Sequence, residues 1–151
     1  MISCTEFIPA YSELFGYIDD REGHDAVVAY WEYVADNYLH TLRELVEEHG
    51  LPGCWIYWTR ALNEEAADFE IVLDEEAGEY RSTMYYCPSK GRLLECGHIT
   101  PYYDYCGHCP VLYSRVLEPL GLRYEKDLSE CDRARCSTVI RVLRAAGDAD
   151  Q

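Results

Sequence analysis

The segment FEIVLDEEAGEYRSTMYYC, residues 69–87, begins with alternating apolar and polar side chains, passes through DEEAG and returns as EYRSTMYYC. Alternation with a period of two is typical of a strand with one buried face. Gly78 ends the turn and can adopt the positive φ that a tight hairpin favours. The segment therefore predicts two antiparallel strands, 69–74 and 79–87.

Three further segments have the composition of strands. CWIYWTRAL (54–62) is rich in aromatic residues and precedes the hairpin. LRYEKDL (122–128) and RCSTVIRVL (135–143) have the pattern of a second hairpin near the end of the chain. Together with the first hairpin they predict an antiparallel sheet of about five strands.

A long helix is predicted before the strands, from Asp25 to about His49. Its apolar residues recur at steps of three and four and form one stripe, which consists of Val27, Trp31, Val34, Tyr38, Leu42 and Leu45. Asp25 is a suitable N-cap, and Gly50 followed by Pro52 predicts the end of the helix.

Two helices are predicted between the hairpins. SKGRLLE (89–95) has the pattern of a short helix, and a second helix is expected from Thr100-Pro101 to about Leu117, with Pro110 as a kink or a fresh start. The order α-βββ-α-ββ predicts an α+β fold in which helices pack on the antiparallel sheet. We found neither a repeat nor a linker, and 151 residues fit a single domain, 1–151.

The charge balance and the hydropathy exclude several partners. The chain holds 28 acidic and 13 basic residues, for a net charge of −15, which would repel a phosphate backbone. No apolar run approaches the roughly 18 residues that span a bilayer. The first twenty residues lack the basic and apolar regions of a secretory signal. We therefore expect a cytoplasmic protein that binds neither nucleic acid nor membrane.

Eight cysteines are the most informative feature of the composition. In a reducing compartment such a set indicates a metal site or a reactive thiol more often than disulfides. The topology favours convergence of four thiolates, which predicts a tetrahedral zinc site or an iron–sulfur cluster with the ligands Cys87, Cys106, Cys109 and Cys136. A second ligand set uses Cys106, Cys109, Cys131 and Cys136, and the sequence leaves open whether Cys131 or Cys96 replaces one of the proposed ligands.

The CGHC sequence at 106–109 also fits two kinds of thiol chemistry. A cysteine near a helix N-terminus favours the thiolate, so Cys109 is a candidate nucleophile, with His98 or His108 as its base. Alternatively, Cys106 and Cys109 form a redox dithiol for thiol–disulfide exchange. For binding a small molecule, the predicted residues are Lys90, which would hold an anionic group, and the aromatic residues Tyr85 and Tyr105.

Three segments resemble the L-2-amino-thiazoline-4-carboxylate hydrolase-like family: MYYCPSKGRLLE, YYDYCGHCPVLYSRVLEPLG and LRYEKDLSECDRARCSTVIR. The likeness consists of a Cys-Pro after a strand, cysteines before a helix that ends in Leu-Gly, and a terminal hairpin whose second strand opens with cysteine. It covers about residues 84–143. The resemblance implies hydrolytic opening of a cyclic thiazoline amino acid, with Cys87, Cys109 or Cys136 and one of the two nearby histidines beside a pocket.

These observations together predict a cysteine-built zinc or iron–sulfur site beside an aromatic pocket for a small molecule. The enzyme hypothesis is hydrolysis of a small cyclic amidine, thiazoline or amide at a C–N bond. The alternative is a zinc-stapled module that binds a ligand or partner without turnover, and the third is a thiol–disulfide oxidoreductase. The pattern leaves the oligomeric state and the identity of the substrate open.

Overall fold

The computed structural model describes residues 4–143, with side chains from Glu6 onward. This part of the chain contains six α-helices and a four-stranded sheet, with the bounds α1 Cys4–Glu22, α2 His24–Tyr38, α3 His40–His49, α4 Leu51–Glu64, β1 Asp68–Asp74, β2 Glu79–Tyr86, α5 Pro88–Glu95, α6 His108–Leu117, β3 Leu122–Asp127 and β4 Cys136–Val142. Short 3₁₀ turns lie at Tyr105–Gly107, Glu118–Leu120 and Cys131–Arg133.

The sheet is antiparallel throughout, with the strand order β1-β2-β4-β3. Both predicted hairpins are confirmed, and Gly78 in the first turn has a φ of 66°. The Ala77 N–H donates to Asp74 Oδ1 at 2.9 Å and closes that turn. The α+β class is therefore confirmed, whereas the strand count of about five and the order α-βββ-α-ββ are wrong.

The missing fifth strand is the segment 54–62, which lies within helix α4 instead. Its buried residues, together with Leu51, follow a helical spacing and are Leu51, Cys54, Trp58 and Leu62. These steps of three and four residues place the four side chains on one helix face. Burial of that stripe against the sheet and α3 outweighs the strand preference of the aromatic residues.

The predicted helix 25–49 is two helices, α2 and α3, which are separated at Leu39. Gly50 ends α3 as predicted, with a φ of 65°, and its N–H donates to the Val46 carbonyl. The chain then re-enters a helix at once, because Pro52 lies in the first turn of α4, where a missing N–H costs nothing. Helix α1, on which the sequence analysis made no prediction, precedes them.

The core lies between the helices and one face of the sheet. Its largest fully buried side chains include Phe15 of α1, Trp31 of α2 and Tyr80 of β2. Along β3 and β4 the inward residues alternate with exposed ones, as half-buried strands require. No helix in the stretch 4–143 combines the length and the apolar character needed to cross a membrane.

The segment before α6 differs from its prediction. Residues from Thr100 to Asp104 are not helical, a 3₁₀ turn covers Tyr105–Gly107, and α6 begins at His108. Of the two predictions for Pro110, a kink or the start of a new helix, the second is the one found. Pro110 occupies the first turn of α6, where backbone N–H groups lack helical partners. Instead of a helix, hydrogen bonds to α1 and α2 hold this segment.

One of these bonds predicts a stability effect. Ser12 of α1 is buried, and its Oγ accepts the Tyr102 N–H at 2.8 Å. In the variant Ser12→Ala that N–H has no acceptor, so we expect unfolding to become easier by about 1–3 kcal/mol in urea denaturation. The control Ser114→Ala, at a partly exposed position, should change it by less than about 0.5 kcal/mol. Equal effects of the two substitutions would contradict this role for Ser12.

Candidate active site

A cavity of about 290 Å³ lies between the inner face of the sheet and helices α4, α5 and α6. Five cysteines from four separate segments line it, namely Cys87, Cys106, Cys109, Cys131 and Cys136. The structure therefore brings all four predicted metal ligands to one cavity, together with the cysteine of the second ligand set. Aromatic residues of α4 and α6 form its apolar wall.

The end of β2 is tied to the connection between β3 and β4. The Cys87 N–H donates to the Ala134 carbonyl at 2.7 Å. Ala134 is buried and has a φ of 57°, a conformation that non-glycine residues adopt rarely and that here ends a 3₁₀ turn. This bond places Cys87 beside the segment that carries Cys131 and Cys136.

The first turn of α6 points into the cavity with His108 and Cys109. The free N–H groups and the positive end of the helix dipole favour negative charge there. Cys109 Sγ lies 3.5 Å from His108 Nε2. The opposite ring nitrogen, Nδ1, donates to the Tyr105 carbonyl, so that Nε2 is turned toward the sulfur.

Aromatic rings from α1, α2 and the 3₁₀ turn enclose the imidazole of His108. The ring centroid of Tyr105 lies 5.0 Å from that of His108, and those of Phe15 and Tyr11 lie at 6.0 and 6.2 Å. Trp31 follows at 6.4 Å. These contacts restrict the ring's rotation, and the negative faces of aromatic rings favour a protonated imidazole.

The electrostatics select Cys109 as the acidic thiol of the cavity. Burial raises its pKa, but the charges of His108 and Lys126 and the contact with His108 outweigh burial and lower the pKa to about 6. For His108, burial lowers the pKa, but the charge of the Cys109 sulfur, the contact with it and the hydrogen bond to the Tyr105 carbonyl together outweigh burial and raise the pKa. The two shifts are mutual, because each charge stabilises the other, and they favour a thiolate–imidazolium pair.

Three other thiols of the cavity have shifts in the opposite direction. Burial is the largest cause in each case, and it raises the pKa of Cys87, of Cys106 and of Cys136. The Cys109 sulfur adds to the effect, because a thiolate disfavours a second negative charge nearby. The cavity therefore combines one ionised sulfur with protonated thiols.

Lys126 of β3 reaches the cavity from the sheet, and its Nζ lies 3.3 Å from Thr138 Oγ1 on β4. Burial alone would lower the pKa of this lysine, but Cys109 and other neighbouring acids outweigh it and raise the pKa. Lys126 is not among the residues predicted from the sequence. The signal was present, because Leu122, Tyr124 and Lys126 occupy the same inward face of a strand.

Two of the three predicted substrate-binding residues line the cavity. Tyr105 is buried, and its hydroxyl is 2.7 Å from Ser89 Oγ. Lys90 Nζ lies 5.9 Å from the centre of the Tyr105 ring. Tyr85 does not line the cavity: its ring lies on the exposed face of the sheet, and its hydroxyl donates to Glu70 Oε2 at 3.1 Å.

Strand alternation would place Tyr85 and Cys87, two residues apart, on the same face of the sheet, but β2 ends at Tyr86. Cys87 has left the sheet and serves as the N-cap residue of α5. Its side chain therefore does not follow the pleat, and it faces the cavity whereas Tyr85 faces solvent.

His98 also lies outside the cavity, at an exposed position beside Cys96. Cys96 Sγ is 3.5 Å from His98 Nδ1 and 3.7 Å from its Nε2. The side chains described, residues 6–143, thus include two cysteine–histidine contacts of similar length. Only the one at His108 is combined with a cavity, an aromatic enclosure and a lysine.

The arrangement of possible metal ligands follows from the positions of the described side chains. Within residues 4–143, no group of three or more His, Cys, Asp or Glu side chains is arranged to hold a metal ion. Zinc needs its sulfur ligands at about 2.3 Å in a tetrahedral arrangement. The five cavity cysteines thus share a wall without forming a ligand set in this conformation.

Comparisons with family models, with curated proteins and with solved structures found no match for the chain. Its chemistry is therefore inferred from the geometry of the cavity.

Proposed function

We propose that the cavity is the active site of a cysteine-dependent hydrolase for small cyclic amidines of the thiazoline type, with Cys109 as the nucleophile. The observation that carries the proposal is the contact of Cys109 Sγ with His108 Nε2, at 3.5 Å, inside a cavity of about 290 Å³. A thiolate paired with an imidazolium is the activated state of cysteine hydrolases. The residues that support it lie partly within 84–143, the region that resembles the thiazoline hydrolase family.

The reaction begins with addition of the Cys109 thiolate to the amidine carbon of the ring. The adduct then collapses: the C=N bond re-forms, the ring C–S bond breaks, and the departing sulfur takes the proton of the His108 imidazolium. The product remains attached to Cys109 through its carbon as an isothiourea. His108 is now neutral and able to act as a base.

Water completes the reaction at the same carbon. His108 removes one proton from water as the oxygen adds to the C=N bond, the other proton of water passes to the nitrogen of that bond, and the C=O bond forms as the bond between carbon and Cys109 Sγ breaks. A ureido thiol leaves, and the thiolate–imidazolium pair is restored. The overall reaction adds one water to the substrate, so that no oxidant, reductant or further reactant is needed.

The test uses reduced, full-length protein and 2-amino-thiazoline-4-carboxylate. We expect a product heavier than the substrate by one water and, after acid quenching, an adduct that peptide mass spectrometry locates at Cys109. Thiazolidine-4-carboxylate is the matched control, because it lacks the electrophilic C=N carbon and should not be consumed. Absence of both product and adduct, or an adduct at Cys96, would contradict the proposal.

A second candidate function is a thiolate metal centre, which the meeting of five cysteines at one cavity favours. A zinc or iron–sulfur centre would use Cys87, Cys106, Cys109 and Cys136, or Cys131 in place of Cys87. Metal analysis and the visible spectrum of anaerobically purified protein test it. One equivalent of bound zinc, or a brown iron–sulfur chromophore, would support it, whereas metal-free protein with full hydrolytic activity would contradict it.

A further inference from the structure

Lys126 is a cation on the apolar side of an edge strand. It shares the inward face of β3 with Leu122 and Tyr124, which are 3% and 6% exposed. An ammonium group withdrawn from water is unfavourable unless an anion or several hydrogen-bond acceptors replace the water. The Lys126 side chain is itself only partly exposed and lines the cavity, so that a partner for its charge is favoured there.

The described residues supply only part of that partner. Thr138, which is 5% exposed and lies opposite Lys126 in the strand register, accepts one hydrogen bond at 3.3 Å, and the Cys136 side chain makes a second hydrogen bond with the ammonium. An ammonium group has three N–H donors. No carboxylate among the described residues pairs with Lys126. Glu65, the acidic residue that lines the cavity, is bound by Arg92 at 2.7 Å.

The cavity is positively charged, whereas the chain carries a net charge of −15. Lys90, Lys126 and Arg135 line it together with His108, and Glu65 is the acidic residue of the lining. The Cys109 thiolate balances one of these charges. The remaining positive charge of the cavity lining favours a ligand that carries a negative group.

We propose that Lys126 and Thr138 form a subsite for a carboxylate, which holds an anionic substrate with its electrophilic carbon at Cys109. The part of this inference that concerns orientation for reaction rests on the proposed function. A carboxylate fits because one of its oxygens accepts from the Lys126 ammonium while the Thr138 hydroxyl donates to it. Neutral analogues of the same shape are then bound less tightly.

Two alkylating reagents test the subsite without any turnover. Iodoacetate carries a carboxylate, and iodoacetamide is its neutral counterpart. The ratio of their rates at one cysteine cancels differences in thiolate content and reports the preference for the anion. Cys96 provides the reference inside the same molecule, because it contacts a histidine at a similar distance but lies outside the cavity.

In the wild-type protein we expect the iodoacetate-to-iodoacetamide ratio at Cys109 to exceed that at Cys96 by about tenfold or more. The variant Lys126→Met should bring the Cys109 ratio to within about twofold of the Cys96 ratio. Arg123→Met is the matched control, since it removes a cation from the outward face of the same strand. It should leave the Cys109 ratio unchanged.

A Cys109 ratio no higher than that of Cys96 in the wild-type protein would overturn the subsite, and so would an unchanged ratio in Lys126→Met. The first of these results needs no variant and does not depend on whether Lys126→Met folds. Failure of the proposed hydrolase would give a different result. Slow reaction of Cys109 with iodoacetamide would count against Cys109 as the nucleophile, whereas the ratio of the two alkylation rates would still decide the role of Lys126.

Discussion

Replacing His108 by glutamine is expected to move the pH midpoint of Cys109 alkylation from about 6 to about 8 or higher. The value of about 6 in the wild-type protein arises because His108 and Lys126 outweigh the burial of the thiol. In His108→Gln the burial remains, and one of the two opposing charges is lost. A cysteine in water titrates near 8.5, so that a shift of about two units is the natural consequence.

The sign of the effect follows from the reactive species. Only the thiolate attacks iodoacetamide, so the rate rises as the pH passes through the folded-state pKa and then levels. In the wild-type protein the plateau is reached near neutral pH, and in His108→Gln the rate is still rising there. The midpoint is a better measure than a single rate, because a less acidic thiol gives a more nucleophilic thiolate and partly compensates for its smaller population.

His98→Gln is the control for this experiment. His98 contacts Cys96 rather than Cys109 and lies outside the cavity. The substitution should leave the Cys109 midpoint at about 6. If His98→Gln shifted that midpoint as much as His108→Gln does, the assignment of His108 as the partner of Cys109 would be wrong.

Replacing Gly53 by alanine is expected to destabilise the fold by about 2–3 kcal/mol. A Cβ at this position would lie 2.3 Å from the Leu45 carbonyl oxygen and 2.8 Å from the Val46 nitrogen. Both are backbone atoms of α3, so that no side chain can turn aside to make room. Helices α3 and α4 would have to separate, and the buried stripe of α4 would lose contact with its neighbours.

Gly16→Ala is the matched control, since Gly16 is also within a helix but has no atom within 4 Å of the added Cβ. There alanine should stabilise the protein by about 0.5–1 kcal/mol, because it removes the entropic cost of glycine. Urea denaturation of both variants measures the difference. A Gly53→Ala protein as stable as the wild type would show that α3 and α4 do not approach as closely as described.

The two hairpins could be predicted because their information is local. Alternation of side chains and a glycine with positive φ define the first, and similar patterning defines the second. The short helix after Cys87 was recognisable for the same reason, since Pro88 occupies its first turn. The break at Leu39 has neither a glycine nor a proline to mark it.

The segment 54–62 shows how two local signals conflict. Its aromatic content favours a strand, whereas the spacing of Leu51, Cys54, Trp58 and Leu62 favours a helix. The helical spacing begins at Leu51, before the segment, so that residues 54–62 taken alone show only part of it. The spacing of apolar residues over a longer stretch predicts the helix correctly, because the core buries a whole helix face.

Convergence of the cysteines was predictable from their places at element ends, but the choice between the two histidines was not. His98 and His108 are both near a cysteine in the sequence. What distinguishes His108 is an enclosure of rings from α1 and α2, about a hundred residues earlier in the chain, and no local pattern reports such a contact. Lys126 had a local signal, a cation on an inward strand face.

The most direct measurement is the order in which the cysteines of the reduced wild-type protein react with iodoacetamide at pH 6.5, followed by peptide mass spectrometry. At that pH a pKa of about 6 leaves Cys109 mostly ionised, so it should be labelled first, ahead of Cys96, which is also partly exposed, and of the buried Cys54. Labelling of Cys96 first, with Cys109 modified only when the protein unfolds, would contradict the existence of an activated cysteine in the cavity.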